Sequence, residues 1–215
     1  RVLLADFDTT SGLSRFLFNI TAATSLGDYL DQGSNYGGDD WRQFIVPVDQ
    51  LHIIHTGRVN PRVKLTPFHM RMMLEHAAPA YNVMCSDLTG AMETYCLELL
   101  RRSRRIVLVT TTEIPSIGLA RDKVDFLGGL DLAGRVGVVL TVSPGAVQPH
   151  VSHIQRYIGA PVEAVMDFGE KKVRQQLAEG RLLDHRTALG RQIEQYAKDL
   201  NSRLAAQNVP DKLLV

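Results

Sequence analysis

Residues 2–12, VLLADFDTTSG, constrain the fold more than any other part of the sequence. Their first half is an almost unbroken apolar run, which leads into Asp6 and Asp8 and then into a turn. An apolar run of this length before a turn is typical of a strand buried on both faces of a parallel sheet. The two acids therefore follow the carboxyl end of the strand. In open parallel sheets, ligands bind at that edge.

A second segment of the same kind lies at residues 81–86 and leads to Asp87, which is followed by the turn residues Leu88, Thr89 and Gly90. Two buried strands that deliver carboxylates to one edge can hold a hydrated magnesium ion against nucleotide phosphates. A single Asp in such a place is explained as well by its preference for turns and helix caps. Because three acids recur at the same edge, we interpret Asp6, Asp8 and Asp87 as a metal and phosphate site.

The remaining sequence alternates strand and helix patterns. Strands are predicted at residues 51–55, 106–110, 136–141 and 161–165, and helices at 11–18, 25–31, 91–102, 116–127, 147–158 and 187–204, with one more beginning at Thr66 and a loop at 33–40. Alternation with connections longer than ten residues predicts an α/β fold with a doubly wound, mainly parallel sheet and helices on both faces. A chain of 215 residues fits one domain over residues 1–215.

No Gly-rich phosphate loop is present in the sequence. The nearest match, residues 129–136 (GLDLAGRV), has Arg135 and Val136 where Lys and Ser or Thr are needed, and it precedes a strand. The chain also begins one residue before a strand that should be central. We therefore expect at least one strand, loop and helix to precede Arg1 in the complete protein, and we expect the isolated chain to have an unpaired sheet edge that promotes association.

Composition excludes several classes of function. With 24 basic and 23 acidic residues, the chain has no field that indicates nucleic acid binding. Cys85 and Cys96 lack a CxxC spacing and fit buried thiols in a reducing cytoplasm. No apolar run approaches the roughly 20 residues of a membrane span. The apolar stripe of the helix at 187–204 indicates core packing, because its polar face carries mixed charges that give a membrane surface little to bind.

Two clusters have ordinary structural explanations. The arginines at residues 101–105 lie at a predicted helix end, where cations complement the helix dipole and are usually solvated. His52 and His55 fall on opposite faces of a strand, so they do not share an ion easily. His150 and His153 lie on one helix face, but the sequence offers no third ligand nearby, which argues against zinc.

The sequence as a whole resembles the MinD/ParA class of P-loop ATPases. The resemblance rests on the acids at residues 6–8, on DLTG at 87–90 and on VLVTTTEIPSIGL at 107–119. Within this class the chain is most similar to the CpaE/TadZ branch, which is linked to pilus assembly and polar localisation. The branch features are LGDYL at residues 26–30, Trp41, and the tail at residues 158–183. The likeness covers essentially all of the chain.

The resemblance implies ATP and Mg²⁺ as ligands and assigns roles to individual residues. Asp8 matches the switch acid, a catalytic and metal-binding residue that positions magnesium and the attacking water. Asp87 matches the Walker B acid, which holds magnesium through water. Asp6 is implied as a cofactor-binding neighbour. Thr110 begins the segment 110–115, which in the family lies beside the phosphates and the dimer face.

Two further cofactor-binding positions depart from the family pattern. Thr141 stands where many members have an adenine-binding Asn, and Asp167 follows Met166 where a Pro-Asn or Pro-Asp pair is common. The family's phosphate loop precedes the strand that corresponds to residues 2–6.

Two functions therefore remain open. One is a cytoplasmic ATPase that forms a homodimer and positions a pilus or secretion machine through its protein partners. The other is a catalytically degenerate scaffold with the same fold. A phosphoacceptor receiver domain is rejected, because the required third acid would be Asp49, in a weak segment that contains proline.

Overall fold

The computed structural model describes residues 1–21, 24–31, 40–58, 64–143, 145, 150–169, 171–179 and 181–206. The chain divides into two compact units, the first formed by residues 1–103 and the second beginning at Arg104. The single domain over residues 1–215 stays a prediction. Apart from Asp40, which begins a short 3₁₀ turn, the predicted loop at 33–40 lies outside the described residues.

The first unit contains a four-stranded sheet. Its strands are β1 (Val2–Asp6), β2 (Val46–Val48), β3 (Leu51–Ile54) and β4 (Val83–Asp87). They lie in the order β2-β3-β1-β4, with β1 parallel to both β3 and β4 and with β2 antiparallel to β3. Leu3 and Ala5 are fully buried, as the apolar run predicts. The carboxyl ends of β1, β3 and β4 therefore share one edge of the sheet.

In the described part of this unit, two α-helices lie between β1 and β2, one lies between β3 and β4, and one follows β4. They are α1 (Ser14–Leu17), α2 (Leu26–Asp31), α3 (Pro67–Ala77) and α4 (Thr94–Arg102). The helix α3 begins where the sequence predicts, because the Thr66 hydroxyl accepts a hydrogen bond from the His69 backbone nitrogen and Pro67 occupies the first helical position. Helices α3 and α4 pack against each other. Met70, Met73 and Leu99 belong to the buried core.

Two details of this sheet differ from the sequence predictions. The apolar run before Asp87 predicts a strand buried on both faces, but among the described residues β4 pairs with β1 alone, forms the end of the sheet and is only partly buried. Cys85 on β4, predicted to be a buried thiol, is exposed, whereas Cys96 on α4 is buried as expected. The strand β2 was not predicted, because it has only three residues and contains Pro47, a residue that sheets tolerate at their edges.

The second unit contains three parallel strands in the order β5-β6-β7. These are β5 (Ile106–Thr111), β6 (Val136–Val142) and β7 (Val162–Asp167), and the helices are α5 (Ile114–Gly128), α6 (Val151–Ile158), α7 (Lys171–Ala178) and α8 (Ala188–Ala206). The expected α/β class is confirmed. In the part of the chain that is described, no helix combines the length and apolarity needed to cross a membrane.

The packing of α8 confirms its predicted role in the core. The helix contacts β7, and Leu189 lies in a buried cluster with Val139, Met166 and Val173. The side chain of Tyr196 packs against the same cluster. The apolar stripe of α8 is therefore directed at the sheet of its own unit.

The arginine cluster at residues 101–105 is not uniformly solvated, which corrects the sequence interpretation. Arg105 is only 13% exposed and forms an ion pair of 2.5 Å with Glu163 on β7, whose side chain is 3% exposed. Arg203 on α8 contacts the same carboxylate, and the Tyr196 hydroxyl donates to it at 3.0 Å. A charge on a predicted solvent face is thus part of a buried network.

Candidate functional site

The acidic edge of the first unit is formed by Asp6, Asp8 and Asp87. Asp6 and Asp87 are the last residues of β1 and β4 and face each other in the parallel register. The backbone nitrogen of Phe7 donates to the Asp87 carbonyl at 2.9 Å, so the ladder continues one residue beyond the strands. The structure thus brings together the three acids that the sequence predicts.

The carboxylate of Asp6 is fully buried and holds the loop that follows β1. One oxygen accepts from the Asp8 backbone nitrogen at 3.0 Å. The other accepts from the backbone nitrogen and the hydroxyl of Ser14, at 3.3 and 2.5 Å. Both oxygens of Asp6 are therefore occupied by the protein itself.

Asp8 organises the tip of the same loop. Its carboxylate accepts from the backbone nitrogens of Thr10 and Ser11 at 2.9 and 3.1 Å, and also from both hydroxyls. Burial raises the pKa of Asp8, but these hydrogen bonds to the ionised form outweigh it and place the pKa below the ordinary value of 3.8. Asp8 is therefore a carboxylate at neutral pH.

Asp87 has the opposite electrostatic environment. The Asp87 side chain is exposed at the sheet edge, yet partial desolvation there and the charges of Asp6 and Asp8 raise its pKa above 3.8. The mutual repulsion among these carboxylates creates a negative potential at the edge, which a cation would relieve. In the described part of the chain, however, no group of three or more His, Cys, Asp or Glu residues is arranged to hold a metal ion.

This repulsion leads to a test by pH. The folded state binds the Asp87 proton more tightly than the unfolded state does. Ionised Asp87 therefore lowers the stability of the fold above its raised pKa. This cost disappears when the pH falls below the pKa that Asp87 has in the unfolded state. We expect Asp87→Asn to raise the melting temperature at pH 7, with a gain that shrinks as the pH falls through the raised pKa towards 3.8 and is absent below it. Asp8→Asn should have the opposite sign, because the depressed pKa of Asp8 adds stability that is lost in acid. A lower melting temperature for Asp87→Asn at pH 7 would contradict this assignment.

Several residues at this edge were not predicted from the sequence. The buried Tyr95 hydroxyl on α4 donates to the Phe7 carbonyl at 2.9 Å and so fixes the peptide between Asp6 and Asp8. His55 and Thr56 directly follow β3 and are buried beside the acidic loop. A polar pair after an apolar strand is the same signal that identified the acids, and it could have identified these two residues.

Gly12 allows the acidic loop to approach β3. Its φ angle is +56°, and a Cβ atom at this position would lie 2.6 Å from the Thr56 hydroxyl oxygen. Its backbone nitrogen donates to the Asp8 carbonyl at 3.0 Å. A side chain here would require both an unfavourable backbone conformation and movement of Thr56.

The second unit carries the other three predicted positions at the carboxyl ends of its strands. The Thr141 hydroxyl donates to the Thr110 carbonyl at 3.3 Å, and the Thr110 hydroxyl donates to the Ser116 carbonyl at 3.1 Å. Asp167 ends β7 opposite Val142, and its carboxylate accepts from the Gly169 nitrogen at 2.6 Å. Thr110 also lines a cavity of about 230 Å³ between β5 and α5, together with Lys123. These residues are partly buried, and they belong to a different unit from the acids.

Comparison with known proteins identifies the fold. No protein family matches the sequence, and no curated protein matches it either. Among solved structures, the chain is similar to a ParA family ATPase from Chlorobium tepidum TLS, with a TM-score of 0.76 and 17% identity over 92% of this chain and 85% of that chain.

Two further structures show the same likeness. The MinC:MinD cell division protein complex of Aquifex aeolicus matches with a TM-score of 0.71 and 16% identity, over 97% of this chain and 85% of that chain. A plasmid partition protein from Borrelia burgdorferi B31 bound to AMPPNP matches with a TM-score of 0.68 and 14% identity, over 95% of this chain and 86% of that chain. The acids and threonines described above therefore lie on an α/β fold shared with the ParA and MinD ATPases.

Proposed function

We propose that this chain is part of an ATPase that binds magnesium-ATP at the acidic edge of its first unit. The observation that carries the proposal is the sheet edge itself, where Asp6 and Asp87 lie side by side at the carboxyl ends of β1 and β4. Desolvation and the charges of Asp6 and Asp8 raise the pKa of Asp87, which supports a negative potential at this edge. Perturbed carboxylates at the carboxyl edge of a parallel sheet are typical of functional sites. The similarity in fold to ParA and MinD ATPases supports nucleotide as the ligand.

The acidic edge fits magnesium better than a fully protein-bound metal. Magnesium prefers oxygen ligands and keeps several waters, so one or two carboxylates together with substrate phosphates are sufficient. Asp8 and Asp87 supply such oxygens, whereas both oxygens of Asp6 are occupied by Asp8 and Ser14. We therefore assign magnesium to Asp8 and Asp87 and the positioning of the Asp8 loop to Asp6. Bound magnesium would neutralise charge on the phosphates, and Asp8 would orient the attacking water.

The phosphates need a cradle of backbone N–H groups and lysine, which residues 1–215 do not contain. We propose that a phosphate loop outside these residues supplies it. From the family resemblance, we also propose that Thr110, Thr141 and Asp167 contact the nucleotide.

A second candidate is a scaffold with the same fold that no longer hydrolyses ATP. The observation that favours it is the Asp8 carboxylate, which is satisfied by four hydrogen bonds from its own loop. A water-positioning acid would have to exchange some of these bonds. Thr141, in place of an adenine-binding Asn, points in the same direction.

In either case we propose a cytoplasmic homodimer that positions a pilus or secretion complex through protein partners. The support is the sequence likeness to the CpaE/TadZ branch at residues 26–30, at Trp41 and in the tail at residues 158–183.

The test compares residues 1–215 with the protein that also carries the phosphate loop. We expect no magnesium-ATP shift in the melting temperature of the former. The latter should be stabilised by about 2.7 kcal/mol at one hundred times its dissociation constant, a shift of several degrees. In the longer protein, Asp8→Ala should abolish turnover while sparing binding, and Asp87→Ala should weaken the magnesium-dependent part of both.

Glu194→Gln on the exposed face of α8 is the matched control, and it should change neither binding nor turnover. A clear nucleotide shift in residues 1–215 alone would contradict the assignment of the phosphates to an external loop. Binding without turnover in the longer protein would favour the scaffold.

A further inference from the structure

The first unit has a cavity of about 390 Å³ at the end opposite the acids. Arg1, which precedes β1, lines it together with His52 on β3 and Tyr81, which precedes β4. In the parallel register Val2 lies beside Val83 and Leu3 beside His52, so the cavity lies at the amino ends of β1 and β4. Asp6 lies five positions after Arg1 along an extended strand, which corresponds to about 16 Å. The cavity is thus distinct from the acidic edge.

Among the residues that the structure describes, the charged side chains that line this cavity are positive. Arg1 and Arg42 both line it with exposed side chains, and the residues that line it include no acid. Burial raises the pKa of Tyr81, and the charges of Arg1 and Arg42 lower it in part. The charges of Arg1 and Arg42 therefore both act on the Tyr81 hydroxyl. Among the described residues, no ion pair is seen for either arginine.

The walls of the cavity are apolar and aromatic. Trp41, Ile45 and Pro47 contribute apolar surface. The Tyr81 hydroxyl lies 2.6 Å from His52 Nδ1, and the rings of Trp41 and Tyr81 meet edge to face with centroids 6.2 Å apart. Because these contacts fix the rings, the cavity is preformed. Its volume falls within the range of about 300–1,000 Å³ that is usual for small-molecule sites.

We infer that this cavity is a binding site for a small organic anion, with Arg1 and Arg42 on its carboxylate or phosphate group and its apolar body against Trp41 and Ile45. Guanidinium groups form strong, charge-assisted hydrogen bonds to both kinds of anion. A cavity that offered charge alone would not need the apolar walls. A site for neutral apolar molecules would not need two arginines.

The only tryptophan of the chain, Trp41, lines the cavity and reports on binding through its fluorescence. The probes are phenyl phosphate and benzoate, with inorganic phosphate as the anion without an apolar body and benzyl alcohol as the neutral ring. We expect the Trp41 fluorescence to change saturably with phenyl phosphate, with benzoate or with both. Inorganic phosphate and benzyl alcohol should bind much more weakly. The response to either anion identifies its charged group.

Arg42→Gln should weaken the binding of these anions about tenfold, since it removes one charge-assisted contact. Its side chain is exposed, so the fold should persist, which an unchanged melting temperature verifies. Arg58→Gln is the matched control, because it removes the same charge beyond the opposite end of β3 and should leave the affinity unchanged. Calorimetry repeats each titration without relying on fluorescence.

Three results would overturn the inference. They are equal binding of benzyl alcohol and the anions, unchanged affinity in Arg42→Gln, and no heat of binding for either anion at millimolar concentration. Equal affinity for inorganic phosphate and phenyl phosphate would overturn the role of the apolar walls. None of these results depends on magnesium or nucleotide, so the inference can fail or hold separately from the proposed ATPase activity.

Discussion

Glu163→Gln is expected to lower the free energy of unfolding by about 3–5 kcal/mol, the usual cost of removing one partner from a buried ion pair. The Glu163 side chain is only 3% exposed and accepts from Arg105, Arg203 and Tyr196. The variant would leave the guanidinium of Arg105, itself 13% exposed, without a counter-charge. The measurement is chemical denaturation at pH 7, in which the midpoint should fall while the slope is unchanged.

The matched control is Glu194→Gln, which removes an exposed ion pair with Lys198 on α8 and should not change the midpoint measurably. A double variant, Arg105→Gln with Glu163→Gln, should cost less than the sum of the two single variants, because the second change removes the charge that the first one leaves unpaired. Additive effects would show that the two side chains do not depend on each other. A cost for Glu163→Gln no greater than that of the control would refute the buried network.

Asp6→Ala is expected to destabilise the fold by about 3 kcal/mol, because it leaves buried donors unsatisfied. The donors are the Asp8 backbone nitrogen and the backbone nitrogen and hydroxyl of Ser14. Asp8→Ala should cost only about 1 kcal/mol, since the hydrogen bonds it removes resemble those of an exposed helix cap. Thermal and chemical denaturation of both variants provide the comparison.

In the protein that carries the phosphate loop, the two variants should also distinguish the role of Asp6 in positioning the Asp8 loop from the role of Asp8 in ATP hydrolysis. Asp6→Ala should reduce nucleotide binding and turnover together as the loop loses its shape, while Asp8→Ala should reduce turnover alone. A destabilisation by Asp8→Ala that equals or exceeds that by Asp6→Ala would contradict the roles assigned here. Asp6→Asn should destabilise the fold less than Asp6→Ala does. Its amide oxygen can still accept a hydrogen bond, whereas its amide nitrogen cannot accept from the donor that it would face.

The two predictions concern residues whose surroundings cannot be distinguished from the sequence. Asp6 and Asp8 are two positions apart after one apolar run, and the sequence gives them the same environment. The structure buries one and leaves the other at a loop tip, because Ser14 turns back onto Asp6 at the start of α1. Arg105 is one of four arginines in a segment that predicts a solvated surface, yet it pairs with a residue 58 positions away.

Local patterns were sufficient for the elements that bury a continuous apolar surface. The strands β1, β5 and β6 and the helices α3 and α8 lie close to their predicted bounds, because parallel strands and packed helices need uninterrupted or periodic apolar residues. Patterns were insufficient for β2, whose three residues pair only because β3 lies beside them.

The sequence by itself determined the α/β class, the parallel strands and the placement of Asp6, Asp8 and Asp87 at one edge, since each follows from the order of apolar runs and turns along the chain. Only the tertiary structure decided which acid is buried, which hydroxyl fixes the Phe7 peptide, and that Arg105 and Glu163 meet across the second sheet. The physical reason is that the burial and hydrogen-bond partners of a polar side chain are set by segments distant in sequence. A pattern of neighbouring residues does not predict which distant segments pack against it.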